Sequence, residues 1–437
     1  MLSTLNTSVA ILGVPFNNVT MDEAISIIEE KIAAGGFHQV ATANVDFVNN
    51  SIHDKEMHDI LCSCDLIVPD GMPIVWASRL MGTKLKERVS GVDLVPRLAE
   101  LSARRGYGIY LLGASEKSSK RAAEVLEEQY PGVRIVGRYS PPLRPLEEMD
   151  HEDILSRIRQ ARPDILLVAM GNPKQERWLA MHRDRLDVPI CIGIGGSLDM
   201  IAGYISRAPL WMQRYGLEWL YRAGQEPKRL IQRYANDAMT LAVYLPAQLA
   251  MNALQPARPT ASNVLIDHFE NAMIVKIVGN LAGTLCARFE ANLREALTAG
   301  RHIVVDMADC THMGPEALGS LAQIAPSMKR LKQQLWIAQM RPHVVRLMQT
   351  SRLEGYFMVT SSLSDALYRI AKADRYAFKP MLAPQRLARA SKKAVQVRVE
   401  MLLDVCSTMK TVNEGAQLNF DSTFSPDATY GYTASLG

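Results

Sequence analysis

Between about residue 8 and residue 200, short apolar runs alternate with amphipathic stretches of helical period. The runs are VAILGV, HQVATAN, DLIVPDG, YGIYLLGAS, VRIVGRY, DILLVAMG and PICIGIGG. Between them lie segments such as MDEAISIIEEKIAAG, SSKRAAEVLEEQY and EDILSRIRQARP. Parallel strands read as near-continuous apolar runs and need a crossover helix between them. The pattern therefore predicts an α/β chain whose core is a Rossmann-like parallel sheet with helices on both faces. In such sheets ligands bind at the carboxyl ends of the strands.

The 437 residues exceed one ordinary domain. The α/β core is expected over residues 8–200. Residues 201–252 read as a basic, aromatic, helical appendage for membrane and substrate binding. From Ile201 to Tyr234 it holds Arg207, Arg214, Arg222, Lys228, Arg229 and Arg233 but only Glu218 and Glu226 as acids. A Pro- and Ala-rich stretch over 253–263 reads as a linker. A smaller α/β domain follows over 264–372. The tail, 373–437, begins basic and ends polar, and is expected to be partly disordered.

The first residues lack a cationic leader before their apolar run, so they are expected to form a strand and not a signal peptide. No stretch reaches about 18 uninterrupted apolar residues, so no membrane span is expected. The six cysteines show neither C-x-x-C nor Cys/His zinc spacing. Neither a metal site nor a cofactor is expected, and the compartment is a reducing one. No nucleic-acid motif stands out, so no nucleic-acid partner is expected.

The polar residues that close the apolar runs are the site candidates. TANVDFVNN offers Thr42 and Asn44 to a ligand, although Asn44 serves equally well as a helix N-cap. VPDGMP places Asp70 at a strand end, where a carboxylate can act as general base on a hydroxyl. Taken alone, an Asp-Gly turn is the plainer reading. In ERVSGVD, Arg88 and the Ser-Gly turn before a helix can hold a phosphate, or simply cap that helix. LLGASEK puts Gly113 and Ser115 at a strand-turn-helix junction that fits either a nucleotide-sugar diphosphate or a simple tight turn. It is not a G-x-G-x-x-G fingerprint, which weakens any oxidoreductase reading. GNPKQERW places Asn172, Lys174 and Gln175 beyond a buried strand, where an amide can both donate to and accept from a sugar or uracil.

Together TANVDFV, DLIVPDGMPIVWASRLMG, ERVSGVDL, LLGAS, LLVAMGNPKQERW, GIGGSLDMIAG and SRAPLWMQRYGLEWLYRAGQEPKRLIQRY resemble the WecG/TagA/CpsF family of bacterial glycosyltransferases over about residues 8–245. The resemblance implies inverting transfer of a sugar from a UDP-sugar to an undecaprenyl-diphosphate-linked sugar at the cytoplasmic face of the plasma membrane. N-acetylmannosamine, its uronic acid and glucose are all compatible donor sugars. It implies Asp70 as the base, Thr42, Asn44 and Gln175 as substrate-binding residues, and diphosphate contacts from among Arg207, Arg214, Arg222, Arg229 and Arg233. No Asp-x-Asp metal motif stands in the chain, so arginines are expected to stabilise the leaving group.

The second domain resembles the STAS fold of anti-sigma-factor antagonists, through MIVKIVGNL, HIVVDMADCTHMGPEALGSLAQI and LWIAQMRPHVVRLMQTSRLEGYFMVTSSLSDAL. The phosphorylated hydroxyl expected at the start of its central helix is replaced by Pro315. A docking or regulatory module for a protein partner is therefore expected in place of a kinase-driven switch. The alternative for the whole chain is a non-catalytic scaffold of a polysaccharide assembly complex, docking through this domain.

Overall fold

The computed structural model describes residues 7–254 and 261–377, without the side chains of Arg214, Arg229 and 374–377. Most of the expected linker, and the tail from 378 on, lie outside the described residues. The chain up to Asp374 forms one compact unit.

The first apolar run does not join the main sheet. It folds back as an antiparallel hairpin of β1 (Ser8–Ile11) and β2 (Val14–Asn17). The turn is Leu12-Gly13, both at positive φ. All eight hairpin residues are buried, so a run without polar alternation here marks a hairpin covered on both faces.

The core then follows the alternation. In chain order it comprises α1 (Met21–Ala34), β3 (His38–Ala43), α2 (Val45–His53), α3 (Lys55–Ser63), β4 (Leu66–Pro69), α4 (Met72–Leu80) and α5 (Gly91–Arg105). It continues with β5 (Gly108–Gly113), α6 (Glu116–Gln129), β6 (Arg134–Tyr139), α7 (His151–Ala161), β7 (Ile165–Ala169), α8 (Lys174–Met181), β8 (Ile190–Gly193) and α9 (Ser197–Ile201). The six strands from β3 to β8 form one all-parallel sheet in the order β4-β3-β8-β7-β5-β6. β3 connects to β4 on one side, whereas β8 is reached from β7 on the other, so no crossover joins the adjacent β3 and β8. That is the kind of switch point where strand ends open a crevice. Three further helices follow: α10 (Leu210–Arg214), α11 (Glu218–Gln225) and the 27-residue α12 (Pro227–Ala253). None of the described helices is long and apolar enough to cross a membrane.

The C-terminal α/β domain comprises β9 (Asn263–Phe269), β10 (Ala272–Leu281), α13 (Thr284–Thr298), β11 (His302–Met313), α14 (Pro315–Arg330), β12 (Leu335–Ala338), α15 (Pro342–Thr350), β13 (Met358–Thr360) and α16 (Leu363–Ala377). Its sheet runs β13-β12-β11-β10-β9, parallel except for β9. Pro315 opens α14 behind the N-cap Gly314, as its fixed φ and missing N–H allow. Ser320 is buried and donates to Glu290 Oε2 at 2.8 Å.

The domain is not tethered loosely to the core. α14 lies directly on β1, and a Cβ added to Gly319 would come within 2.3 Å of the Ser8 carbonyl oxygen. Ala10 belongs to the hydrophobic core of the C-terminal domain. Gln323 bonds both Ser8 and Asn17, and His58 Nδ1 lies 2.9 Å from the Tyr356 hydroxyl.

Candidate active site

A cavity of about 450 Å³ opens at the carboxyl ends of β3, β4, β7 and β8. Thr42, Asn44, Asp70, Asn172 and Gln175 all line it, joined by Arg88, Arg222 and Arg233. Four strand ends separated by up to 150 residues thus converge because the parallel sheet points them the same way.

Asp70 follows β4 directly, and its backbone N–H donates to Ala43 O at 2.8 Å, which seats it beside the end of β3. Its Oδ2 accepts from Gly91 N at 3.3 Å. Burial pushes the carboxyl up to about 6, against the pull of Arg88, the Gly91 N–H and Arg222. A carboxyl there is mostly ionised at neutral pH yet basic enough to accept a proton from a hydroxyl.

Thr42 and Asn44 carry structural duties as well. Thr42 Oγ1 donates to Gly193 O at 2.9 Å and ties the ends of β3 and β8. Asn44 caps α2, its Oδ1 accepting from Asp46 N at 3.0 Å. Both remain on the cavity wall.

Gln175 is turned to the wall of the cavity in a way the sequence did not suggest. Its Oε1 accepts from Gly171 N and Gly195 N, each at 3.1 Å, and so clamps the β7 and β8 loops together. Its Nε2 donates to Glu176 Oε1 at 2.7 Å. Both carbonyl lone pairs and one of the two amide hydrogens are thereby used, so the side chain can offer a ligand one N–H and no acceptor. Glu176 is fully buried, and burial raises its carboxyl to about 8, a neutral acid at pH 7. Gly193 makes room for the pair: a Cβ there would lie 2.4 Å from Glu176 Oε1.

The arginines divide into two groups. Arg88 donates to Glu218 Oε2 at 2.8 Å and to Asp93 Oδ2 at 3.2 Å, and Arg207 reaches the same Asp93 at 2.6 Å. This four-charge network latches α11 to the start of α5. Burial would raise Asp93, but Arg207 and Ser90 hold it below the usual carboxylate range. Arg222 and Arg233 make no ion pair among the described residues, and the Nε of each is buried without a partner. They are the cations left available to a ligand. The side chains of Arg214 and Arg229 lie outside the described residues.

Gly113, Ser115, Lys174 and Arg207 are not among the cavity-lining residues. Gly113 closes β5 against β7, Ser115 caps α6 and Lys174 donates to Arg144 O. The strand-turn-helix at LLGAS is thus a tight packing junction, and the expectation of nucleotide contacts there and at Lys174 finds no support from the cavity.

The family model for the glycosyl transferase WecG/TagA/CpsF family matches residues 9–254. The chain belongs to that family. A STAS domain model matches residues 263–366. As a WecG/TagA/CpsF member, the chain is 32% identical over 222 residues to the N-acetylglucosaminyldiphosphoundecaprenol N-acetyl-beta-D-mannosaminyltransferase of Bacillus subtilis. The match covers 50% of this chain and 83% of that protein. It is 30% identical to the protein of the same name in Staphylococcus aureus strain MW2, covering 51% and 86%. The anti-sigma factor antagonist SpoIIAA in its unphosphorylated form matches 25% of this chain and 98% of its own, with 12% identity and a TM-score of 0.23.

Glu176 stands in the first helical turn marked from the sequence, whereas the carboxylates of Glu218 and Asp237 at this cavity were not singled out from it. Glu218 anchors Arg88, Glu176 backs Gln175, and Asp237 lines the cavity from α12. For Asp237 a signal existed. Arg233, Tyr234, Asp237, Ala238 and Leu241 recur at helical spacing and all line the cavity, a stripe of mixed polarity on one face of α12.

Proposed function

We propose that the chain transfers a sugar, with inversion, from a UDP-sugar to a sugar carried on undecaprenyl diphosphate, in building a cell-envelope or extracellular polysaccharide. The observation that carries this reading is the Asp70 carboxyl, raised to about 6 in a cavity that also holds the unpaired guanidiniums of Arg222 and Arg233. In a single displacement the acceptor hydroxyl attacks the anomeric carbon, and its proton passes to Asp70. The bond from that carbon to the UDP oxygen breaks, and the two arginines stabilise the charge that develops on the diphosphate. No metal is required in this scheme.

The names of the Bacillus and Staphylococcus relatives make N-acetylmannosamine the first donor sugar to test, on N-acetylglucosaminyl-diphosphoundecaprenol as acceptor. Leu210, Trp211, Tyr215 and Leu220 are exposed on α10, α11 and their connection, within the basic segment. Such side chains favour peripheral attachment to the inner face of the plasma membrane, where a lipid-linked acceptor would be met. The C-terminal domain braces the transferase in cis, with any partner protein meeting its remaining surface.

The test is a donor screen with purified full-length protein, a panel of UDP-sugars and the lipid-linked acceptor, with products read by mass. One donor giving product, with release of UDP, is the expected result. No product from any donor, by protein that still binds the acceptor, would favour the scaffold reading.

A further inference from the structure

α2 and α12 lie side by side and run parallel. Thr240 Oγ1 donates to Asn49 Oδ1 at 2.6 Å, and one turn further the Tyr244 ring meets His53 edge-on, centroids 6.4 Å apart. One turn the other way, toward the cavity, the same register brings Asp237 near Asp46. The two differ in how they are satisfied. Asp46 Oδ2 accepts from Asn172 Nδ2 at 3.0 Å. Asp237 is only 9% exposed, lines the cavity, and has an Oδ1 without a hydrogen-bond partner among the described residues. Arg233, a turn back on the same face, stacks over the neighbouring Tyr234 ring and makes no ion pair with Asp237.

Leaving a buried acceptor without a donor is costly, so native structures seldom keep one. A ligand group at this end of the cavity can supply that donor. Two neighbouring carboxyl groups disfavour a phosphate there and suit O–H and N–H groups. Trp219 and Tyr234, in edge contact with centroids 5.8 Å apart, give the same corner an apolar wall of the kind a sugar ring packs on.

We propose that Asp237 is a specificity-determining residue that accepts a hydrogen bond from a hydroxyl or amide N–H of the lipid-linked acceptor sugar. The identity of the ligand rests on the transferase reading given above. Asp70 works on the hydroxyl that reacts, and Asp237 holds the ring by a group that does not.

The test uses full-length protein and a water-soluble probe, N-acetylglucosamine diphosphate on a short prenyl chain, titrated by calorimetry and then used in initial-rate kinetics. Asp237→Ala should weaken probe binding about tenfold and raise the acceptor KM to match, with donor KM and kcat held within about twofold. The isosteric Asp237→Asn, which keeps the fold should the alanine variant not, should weaken binding severalfold, and Asp237→Glu should recover part of it. Thr240→Val removes the neighbouring rung between α2 and α12 and should leave probe affinity unchanged. Probe affinity unaltered in both Asp237→Ala and Asp237→Asn overturns the proposal, as does a rise confined to the donor KM. Wild-type protein that binds the probe in an Asp237-dependent way yet transfers no sugar would uphold Asp237 and remove the transferase reading. Wild-type protein that does not bind the probe overturns the proposal.

Discussion

Arg88 and Glu218, 130 residues apart, meet through a 2.8 Å hydrogen bond that joins the loop between α4 and α5 to the first turn of α11. Both side chains are largely buried, and Asp93 and Arg207 complete the network. Arg88→Ala leaves Glu218 with Arg207 alone, and should lower stability by about 2 kcal/mol, between the values for exposed and fully buried pairs. Thermal unfolding measures this, and hydrogen exchange should show α11 opening sooner. Unaltered stability with selective loss of diphosphate binding would return Arg88 to a ligand-binding role.

Asp70→Asn should reduce kcat by about 10²–10⁴, the usual worth of a positioned base, with binding of both substrates retained. In the native protein, kcat/KM should fall as pH drops through about 6, because Asp70 is then protonated and cannot accept a proton. A rate that holds level down to pH 5 would exclude Asp70 as the base.

Arg222→Ala and Arg233→Ala should each lower kcat/KM about tenfold or more, the worth of one charge-assisted contact to a diphosphate. Activity should survive EDTA in the native protein. Loss with EDTA, restored by a divalent cation, would show that the guanidiniums do not act alone.

Glu176 makes a prediction with a definite sign. Burial pushes its folded carboxyl up to about 8 from an ordinary 4.5, so between these values the folded chain holds a proton that the unfolded chain has lost. The stability this provides is complete below about pH 4.5 and declines as pH rises toward 8. Glu176→Gln keeps an acceptor for Gln175 Nε2 and cannot ionise. Its melting temperature relative to the native protein should therefore climb as pH is raised through that window. A gap that does not vary with pH would mean that Glu176 is ionised in the fold.

Gly319→Val should separate α14 from β1. The added side chain meets backbone at Ser8 and Val9, which cannot swing aside as a flexible side chain would. A loss of about 1–3 kcal/mol or more is expected from such overpacking, with earlier proteolysis between the two domains. Native-like melting and proteolysis would show that the seam is looser than the contacts require.

The sequence was most legible where chemistry stands at strand ends. Thr42, Asn44, Asp70, Asn172 and Gln175 each follow an apolar run, and a parallel sheet brings them to one cavity. Their bonding was less legible. Nothing local shows that Gln175 Oε1 is already claimed by two glycine N–H groups, or that Arg88 is neutralised from α11. Such partners depend on packing between distant segments, which periodicity does not encode. Asp237 escaped for a related reason. In α12 it looks like one more solvated charge, and only the neighbouring α2 turns it inward. The hairpin was misread because a buried two-residue turn leaves the run looking like a single strand.

α12 spans about 40 Å at 1.5 Å per residue. Its early turns carry exposed Ile231 beside the basic segment, its middle carries Arg233 and Asp237 into the cavity, and Gln248 near its end bonds Leu12 N and Ala10 O beneath α14. One rod therefore touches the basic segment, the cavity and the hairpin beneath the STAS domain at once. A tilt imposed at either end is geometrically a shift of the two cavity residues, so a contact on the basic segment and a contact on the STAS domain would reach the cavity through a shared axis, with no separate relay between them.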